Sequence, residues 1–317
     1  MRIAVFGTGG VGGYFGGRLA QAGHDVVFVA RGAHLKAIRA HGLRVDSKLG
    51  DFVVASAQAT DDLSEVGEVD VVLLGVKAWQ VPEAAVAMRP LVGPHTCVLP
   101  LQNGVEAAGH LVAELGPSHV LGGLCAIISF VAGPGHIRHV AGSEPFVTIG
   151  ELDNRPSVRT SRLLEAFQGA SVKSQIAPNI QIALWQKLIL IVSLSSIGVI
   201  TRTPAGIWRV VPETRRMYND IVREAYAIAR AHGIAVPEEH VQTVLKLPDG
   251  LEPEATTSLQ RDIADGRPSE LEEQIGVVVR TGREVGVEPN VLTFIYQSLL
   301  PSELRARGKA AIFETSV

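Results

Sequence analysis

A glycine pattern lodged between a strand and a helix constrains this chain more than any other feature. Arg2-Ile3-Ala4-Val5-Phe6 is a short apolar run, and Gly7-Thr8-Gly9-Gly10-Val11-Gly12 follows at once in the order G-x-G-x-x-G. A helical stretch carrying Leu19 and Ala20 ends at Gly23, and Asp25-Val26-Val27-Phe28-Val29-Ala30 reads as a second strand closed by Arg31. Alone, three spaced glycines say little; inside a complete βαβ unit of about 30 residues they point to a dinucleotide. Gly7 allows the tight turn, Gly9 leaves room for a pyrophosphate, and Gly12 lets the helix pack close to the sheet. The helix N-terminus offers N–H groups and the positive end of its dipole to the phosphates. All six residues, Gly7, Thr8, Gly9, Gly10, Val11 and Gly12, are read as cofactor-binding. A glycine-rich turn that binds nothing is the other reading.

Arg31 refines the cofactor. The end of the second strand in such a fold lies beside the adenosine ribose, where an acidic residue about 20 positions beyond the glycines marks NAD. Arg31 stands 19 residues after Gly12, with Gly32 beside it and His34 and Lys36 just beyond. A guanidinium matches a phosphate in charge and geometry, and a carboxylate repels it. The expected cofactor is NADP, used as NADPH. A solvated arginine after a strand is the bland alternative.

With 317 residues, 19% charged and 46% hydrophobic, the chain has the size and composition of a two-domain enzyme. A formal net charge of -3 gives no basic excess for nucleic acid. Cys97 and Cys125 have no metal-ligand spacing and read as small core residues; the ten histidines show none either, so no metal is expected. The chain opens on a strand, which leaves no room for a signal peptide and suggests the cytoplasm. Leu188 to Ile200 is apolar over 13 residues and includes Ser193, Ser195 and Ser196. It suits a buried helix better than a membrane span.

The first half alternates strand-like runs, at 52–55, 69–76, 96–101 and 120–122, with helical segments at 81–88 and 105–115. That alternation predicts a parallel sheet with helices on its faces. Runs at 137–141 and 146–149 extend the sheet as antiparallel members, followed by a helix at 156–167 and a last strand at 172–176. Beyond Ala177-Pro178-Asn179 strands vanish and the period becomes 3.6. The fold class is thus an α/β Rossmann-type NADP-binding domain over residues 1–177, followed by an all-α substrate and catalytic domain over 178–317. The ligand is expected at the carboxyl ends of the strands, in a cleft between the domains.

Two strand ends there carry polar residues. The run 71–76 leads into Lys77, and 98–101 leads into Gln102-Asn103-Gly104. Lys77 is placed to touch cofactor phosphate or ribose, and Asn103 the ribose or the substrate; a helix-start lysine and a turn asparagine are the structural alternatives. Hydride transfer to a carbonyl leaves negative charge on oxygen and requires a proton donor. Lys187 is the only charged residue between Asn179 and Arg202. Partial desolvation would lower its pKa toward the working range, although a lysine can also snorkel to the surface. Ser269 and Glu272 fit a capping box, which puts Glu270 in a first helical turn as an acceptor for a substrate hydroxyl. His136 and His139 read as surface residues.

Beyond the glycine loop, Lys77-Ala78-Trp79-Gln80, Gln102-Asn103-Gly104, Trp185-Gln186-Lys187-Leu188 and Ser258-Leu259-Gln260 leading to Asp262 and Glu270 occur in one order along the chain. In this the sequence resembles the ketopantoate reductase (2-dehydropantoate 2-reductase) family over essentially its whole length. The resemblance implies NADPH-dependent reduction of ketopantoate to pantoate, in pantothenate biosynthesis. It implies Lys187 as general acid, Glu270 as the carboxylate that holds the substrate hydroxyl, Ser258 near the substrate carboxylate, and Asn103 at the junction of cofactor and substrate. It implies Arg31 and Lys77 at the adenosine phosphate end, and dimers, which are common in the family. The family's asparagines four and eight residues after the lysine are Ile191 and Ser195 here, and its Asn-Gly after the glutamate is Ile275-Gly276. Those departures keep open a reductase for another, more apolar 2-oxo acid or an imine. A regulator that senses NADP without turnover is the alternative from another class, opposed by Lys187 and Glu270.

Overall fold

A computed structural model describes residues 1–140 and 144–309. The chain divides into two compact units: Met1–Gln102 with Glu106–Gln181, and Asn103–Val105 with Ile182 onward. The division falls inside a helix, four residues beyond Ala177, and assigns the three residues after Gln102 to the helical unit.

The first unit is built on a parallel five-stranded sheet of order β5-β2-β1-β6-β7. Its strands are β1 (Arg2–Phe6), β2 (Asp25–Val29), β5 (Gln58–Thr60), β6 (Val71–Leu74) and β7 (Cys97–Pro100). Strands covered on both faces are apolar at every position rather than at alternate ones. In β1, Ile3 and Val5 enter one core with Tyr14 and Phe15, while Ala4 and Phe6 enter another with Val81, Ala84 and Met88. Helices α1 (Gly10–Gln21), α2 (Gly32–His41), α3 (Val81–Ala87), α4 (Ala107–Leu115) and α5 (Val158–Gly169) complete this part of the chain. Cys97 and Cys125 are free and buried.

Five of the expected sheet members lie outside that sheet, 52–55 and 137–141 in one and 120–122, 146–149 and 172–176 in another. A separate four-stranded sheet, β4-β3-β10-β9, contains β3 (Leu43–Ser47), β4 (Phe52–Val54), β9 (Ser129–Gly133) and β10 (His136–His139). It packs on α1, whose glycines make both contacts possible. A Cβ at Gly16 would strike Val5 of β1, whereas one at Gly13 would strike Ile137 and one at Gly17 would press on Phe52. The expected strand at 137–141 thus sits in this cover, and Ala141 lies outside the described residues. His139 is buried, its Nδ1 2.9 Å from Ser47 Oγ, because β10 is an inner strand here. A third sheet, of order β12-β11-β8, is separate from the five-stranded one: β8 (Leu121–Ala126) runs antiparallel to β11 (Phe146–Glu151), β12 (Lys173–Ile176) runs parallel to β11, and an isolated parallel bridge joins Val98 of β7 to Val120 just before β8.

The second unit is helical among the described residues. It contains α6 (Ile180–Thr201) from Ile182 onward, then α7 (Ala205–Trp208), α8 (Pro212–Ala231), α9 (Glu238–Lys246), α10 (Ser258–Ala264), α11 (Val277–Glu284) and α12 (Asn290–Ala306). Among the described residues α6 alone is long and apolar enough to cross a membrane. Its Trp185, Leu188, Ile189, Val192, Ile197 and Val199 are buried with Tyr218, Ile221 and Val278 in one core, which accounts for that composition.

Candidate active site

At the glycine loop, two of the three glycines are required by the fold and the third is not. Gly7 has φ +95°, which side chains disfavour, and a Cβ there would lie 2.7 Å from Val76 Cγ1. A Cβ at Gly12 would lie 2.2 Å from Gly7 O. Gly9 differs: its φ is −82°, and its added Cβ would meet only Gly75 O, at 4.0 Å. Neither backbone nor internal packing demands a glycine there, and the open space beside it suits a phosphate. Thr8 is braced by two bonds to Val29 O, from its N–H at 3.3 Å and its Oγ1 at 3.0 Å.

Arg31 is exposed and extended, immediately before α2. Lys77 is exposed just after β6, its N–H donating to Gln80 Oε1 at 3.1 Å. Gln102 is buried and pins the end of β6 by donating from Nε2 to Leu74 O (2.9 Å) and Val76 O (3.0 Å). These residues could hold a dinucleotide between the glycine loop, with Val11 in the first turn of α1, and the adenosine end of the sheet.

In the helical unit a string of polar groups converges on Glu270, which is 6% exposed. Its Oε2 accepts from Asn103 Nδ2 at 3.1 Å and from Gln274 Nε2 at 3.2 Å. Gln274 Oε1 accepts from Ser195 Oγ at 3.1 Å. The fold therefore brings Asn103 to Glu270 directly and Ser195 to it through Gln274, a residue the sequence motifs passed over. Its signal was its place four residues after Glu270, on the same helical face. One wide turn with i→i+5 hydrogen bonding, Glu272–Gly276, follows Glu270; such turns are frequent at functional sites. Gly104, at φ +94°, lies against it, since a Cβ would come 2.6 Å from Glu273 O. Burial pushes the Glu273 carboxyl up to about 7, and the nearby charges of Glu270 and Glu272 push the same way.

The expected capping box does not form. Ser269 is a donor: its N–H and Oγ both go to the buried Glu303 of α12, the Oγ–Oε2 distance being 2.5 Å. Arg307 closes the clamp, from Nε to Glu303 Oε1 at 2.5 Å and from Nη2 to Ser269 O at 2.7 Å. Glu272 instead accepts from Arg280 and from the Tyr296 hydroxyl. A tertiary carboxylate 34 residues away has taken the serine that local spacing assigned to a cap.

Lys187, Ile191 and Ser195 succeed one another at four-residue spacing on one face of α6. Lys187 and Ile191 are half-buried, and Ser195 is buried. Ser258 opens α10, and no hydrogen bond among the described residues ties it to the Glu270 string. Its helix lies beside α6, where a Cβ on Gly198 would come 2.5 Å from Gln260 Oε1.

Comparison with known proteins gives the family. The family "Ketopantoate reductase PanE/ApbA" matches residues 3–154, and its C-terminal counterpart matches residues 179–302. The chain belongs to the ketopantoate reductase family. It is 31% identical to a 2-dehydropantoate 2-reductase of Mesorhizobium japonicum, covering 90% of this chain and 92% of that protein. One from a Nostoc species is 28% identical over 94% of each chain. The crystal structure of a PanE/ApbA family ketopantoate reductase from Ralstonia eutropha JMP134 is 32% identical, with a TM-score of 0.88, covering 97% of this chain and all of that one. As a family member, the chain is an oxidoreductase acting on CH–OH groups, a 2-oxo acid reductase of the ketopantoate reductase type that uses a nicotinamide dinucleotide.

Proposed function

We propose that this protein reduces ketopantoate to pantoate with NADPH, and so serves pantothenate biosynthesis. The observation that carries the reading is the buried Glu270 carboxylate, oriented by the amides of Asn103 and Gln274. A carboxylate so held is an acceptor for a substrate hydroxyl, and ketopantoate carries one. The open space at Gly9 and the arginine at the end of β2 support NADPH. When bound, the reduced nicotinamide supplies a hydride to the ketone carbon. Lys187 then gives a proton to the ketone oxygen as charge develops on it, so that the 2-oxo acid leaves as a 2-hydroxy acid. Asn103 orients Glu270, and Arg31 with Lys77 binds the adenosine phosphate end.

Ile191 favours a second reading. It occupies the helix position between Lys187 and Ser195 and cannot hydrogen-bond, which suits a 2-oxo acid with an apolar tail. NADPH oxidation followed at 340 nm separates the two. A kcat/KM for ketopantoate of about 10⁴ M⁻¹s⁻¹ or more, above that for ketoisovalerate, supports the first. The reverse order of preference overturns it in favour of the second, and no turnover of any 2-oxo acid defeats both.

A further inference from the structure

His34 stands three residues after Arg31, where the sequence places it toward the adenosine phosphate. Its ring turns the other way, into the protein. Nε2 lies 2.9 Å from Thr8 O in the glycine loop. Nδ1 lies 3.0 Å from the backbone N of Gly135, in the turn between β9 and β10. A carbonyl only accepts and a backbone N–H only donates, so Nε2 carries the hydrogen and Nδ1 is bare. These two partners are satisfied together only by the neutral Nε2–H tautomer.

The consequence falls on one peptide group. Thr8 N–H is already committed to Val29 O, and Gly9 O accepts from Gly13 N–H at 2.7 Å. The Thr8–Gly9 peptide is what remains to be oriented, and His34 holds its carbonyl. In a planar trans peptide the C=O and the next N–H point in opposite directions. Holding Thr8 O on His34 therefore aims Gly9 N–H away from the ring. A flipped peptide would turn the carbonyl oxygen that way instead, toward any phosphate seated at Gly9.

We propose that His34 is a positioning residue for the cofactor: its neutral ring fixes the Thr8–Gly9 peptide with the N–H toward the pyrophosphate, and a proton added to the ring loosens cofactor binding. The proposal rests on the reading that the glycine loop holds the cofactor. Protonation places an N–H at Nδ1 against the Gly135 N–H, so that brace is lost and the α2 start moves relative to the turn. Gly135 is itself pressed on α2, since a Cβ there would come 3.0 Å from Ala37 Cβ. Burial lowers the His34 pKa, while the Thr8 bond opposes the change; neither cause is a neighbouring charge. The titratable and charged groups on the elements packed around it are Arg31 just before α2, Lys36, Arg39 and His41 on α2, Arg44 and Asp46 on β3, and His136 and Arg138 on β10. Of these, Arg44, His136 and Arg138 gather on Asp46. The glycine loop itself adds no titratable side chain.

The test is the dissociation constant of NADPH for the full chain, for His34→Ala and for His34→Gln, measured from pH 8 to pH 5. A glutamine amide offers one donor and one acceptor like the ring, but does not titrate. At pH 8, His34→Ala is expected to bind about tenfold more weakly, and His34→Gln within about threefold of the unaltered protein. As pH falls to 5, the unaltered protein is expected to lose affinity relative to His34→Gln by about threefold. The cofactor phosphate, which titrates near pH 6, acts on both alike and cancels in the ratio. In ¹⁵N NMR of the unaltered protein, the His34 ring should appear as the Nε2–H tautomer and titrate at lower pH when NADPH is bound. Parallel pH curves for the two proteins, or an unmoved His34 titration with NADPH demonstrably bound, overturn the role given to His34 while leaving the cofactor site intact. Failure of NADPH to bind at any pH overturns the glycine-loop reading, and His34's role with it.

Discussion

Replacing Gln274 with methionine should show whether the string around Glu270 is an energetic unit. Gln274 is 1% exposed. Methionine keeps the unbranched shape and nearly the volume but removes both amide groups. Two bonds disappear: the 3.2 Å donation to the Glu270 carboxylate and the 3.1 Å acceptance from Ser195 Oγ. A bond to a charged group contributes about 1.5–3 kcal/mol and a neutral one about 1 kcal/mol. Greater apolar burial by methionine offsets roughly 1 kcal/mol. The net loss expected is therefore about 1.5–3 kcal/mol. Urea unfolding followed by tryptophan emission measures it, because Trp185 and Trp208 are both buried in the helical core. Ser195→Ala provides the control. Once the serine hydroxyl is gone, Gln274→Met should cost about 1 kcal/mol less than in the unaltered protein. Activity should fall too, because Glu270 loses the Gln274 amide that helps to orient it. A loss below about 0.5 kcal/mol, or strictly additive single effects, would refute the claim that Ser195, Gln274 and Glu270 act together.

Lys187→Ala should lower kcat by about two to four orders of magnitude with NADPH affinity nearly unchanged; near-normal kcat would make the lysine a bystander. Arg31→Ala should weaken NADPH by about 1.5–3 kcal/mol in a fluorescence titration and leave NADH alone. Equal weakening of both cofactors would exclude a phosphate contact. Glu273, pushed up to about 7 by burial, binds its proton more tightly folded than unfolded. Its contribution to stability is thus complete below the unfolded value near 4.5 and is lost as pH rises through about 7. Against Glu273→Gln, the unaltered protein should lose stability to urea between pH 5 and pH 8, and two parallel stability profiles would show that this carboxyl does not titrate there.

Much of the molecule is legible from short-range patterns. Residues 1–31 announce a strand, a turn and a helix because Gly7 and Gly12 answer local steric demands and the flanking runs have simple periods. The change to a 3.6 period after Asn179 likewise separates the sheet-bearing part from the helices. The four-stranded sheet on α1 was not legible, because Phe52 and Ile137 have the same alternating surroundings in a cover sheet as in a central one. His139 looked like a surface residue for the same reason: only β9, paired beyond β10, makes its strand an inner one.

Local spacing was enough for the glycine loop, the order of the two kinds of structure, and the lysine and glutamate as the polar residues to watch. Each depends on neighbours within about one turn or one strand, where spacing alone dictates geometry. What the polar residues touch came from packing. Ser269 spends its hydroxyl on Glu303 rather than on a cap, Glu270 is steadied by Asn103 from 167 positions away, and His34 braces Thr8 across 26. A buried polar group takes whichever partner the packing brings within about 3 Å, since leaving it unmade costs more than any local preference returns. Partners of that kind are set by how elements stack, and no local spacing records them.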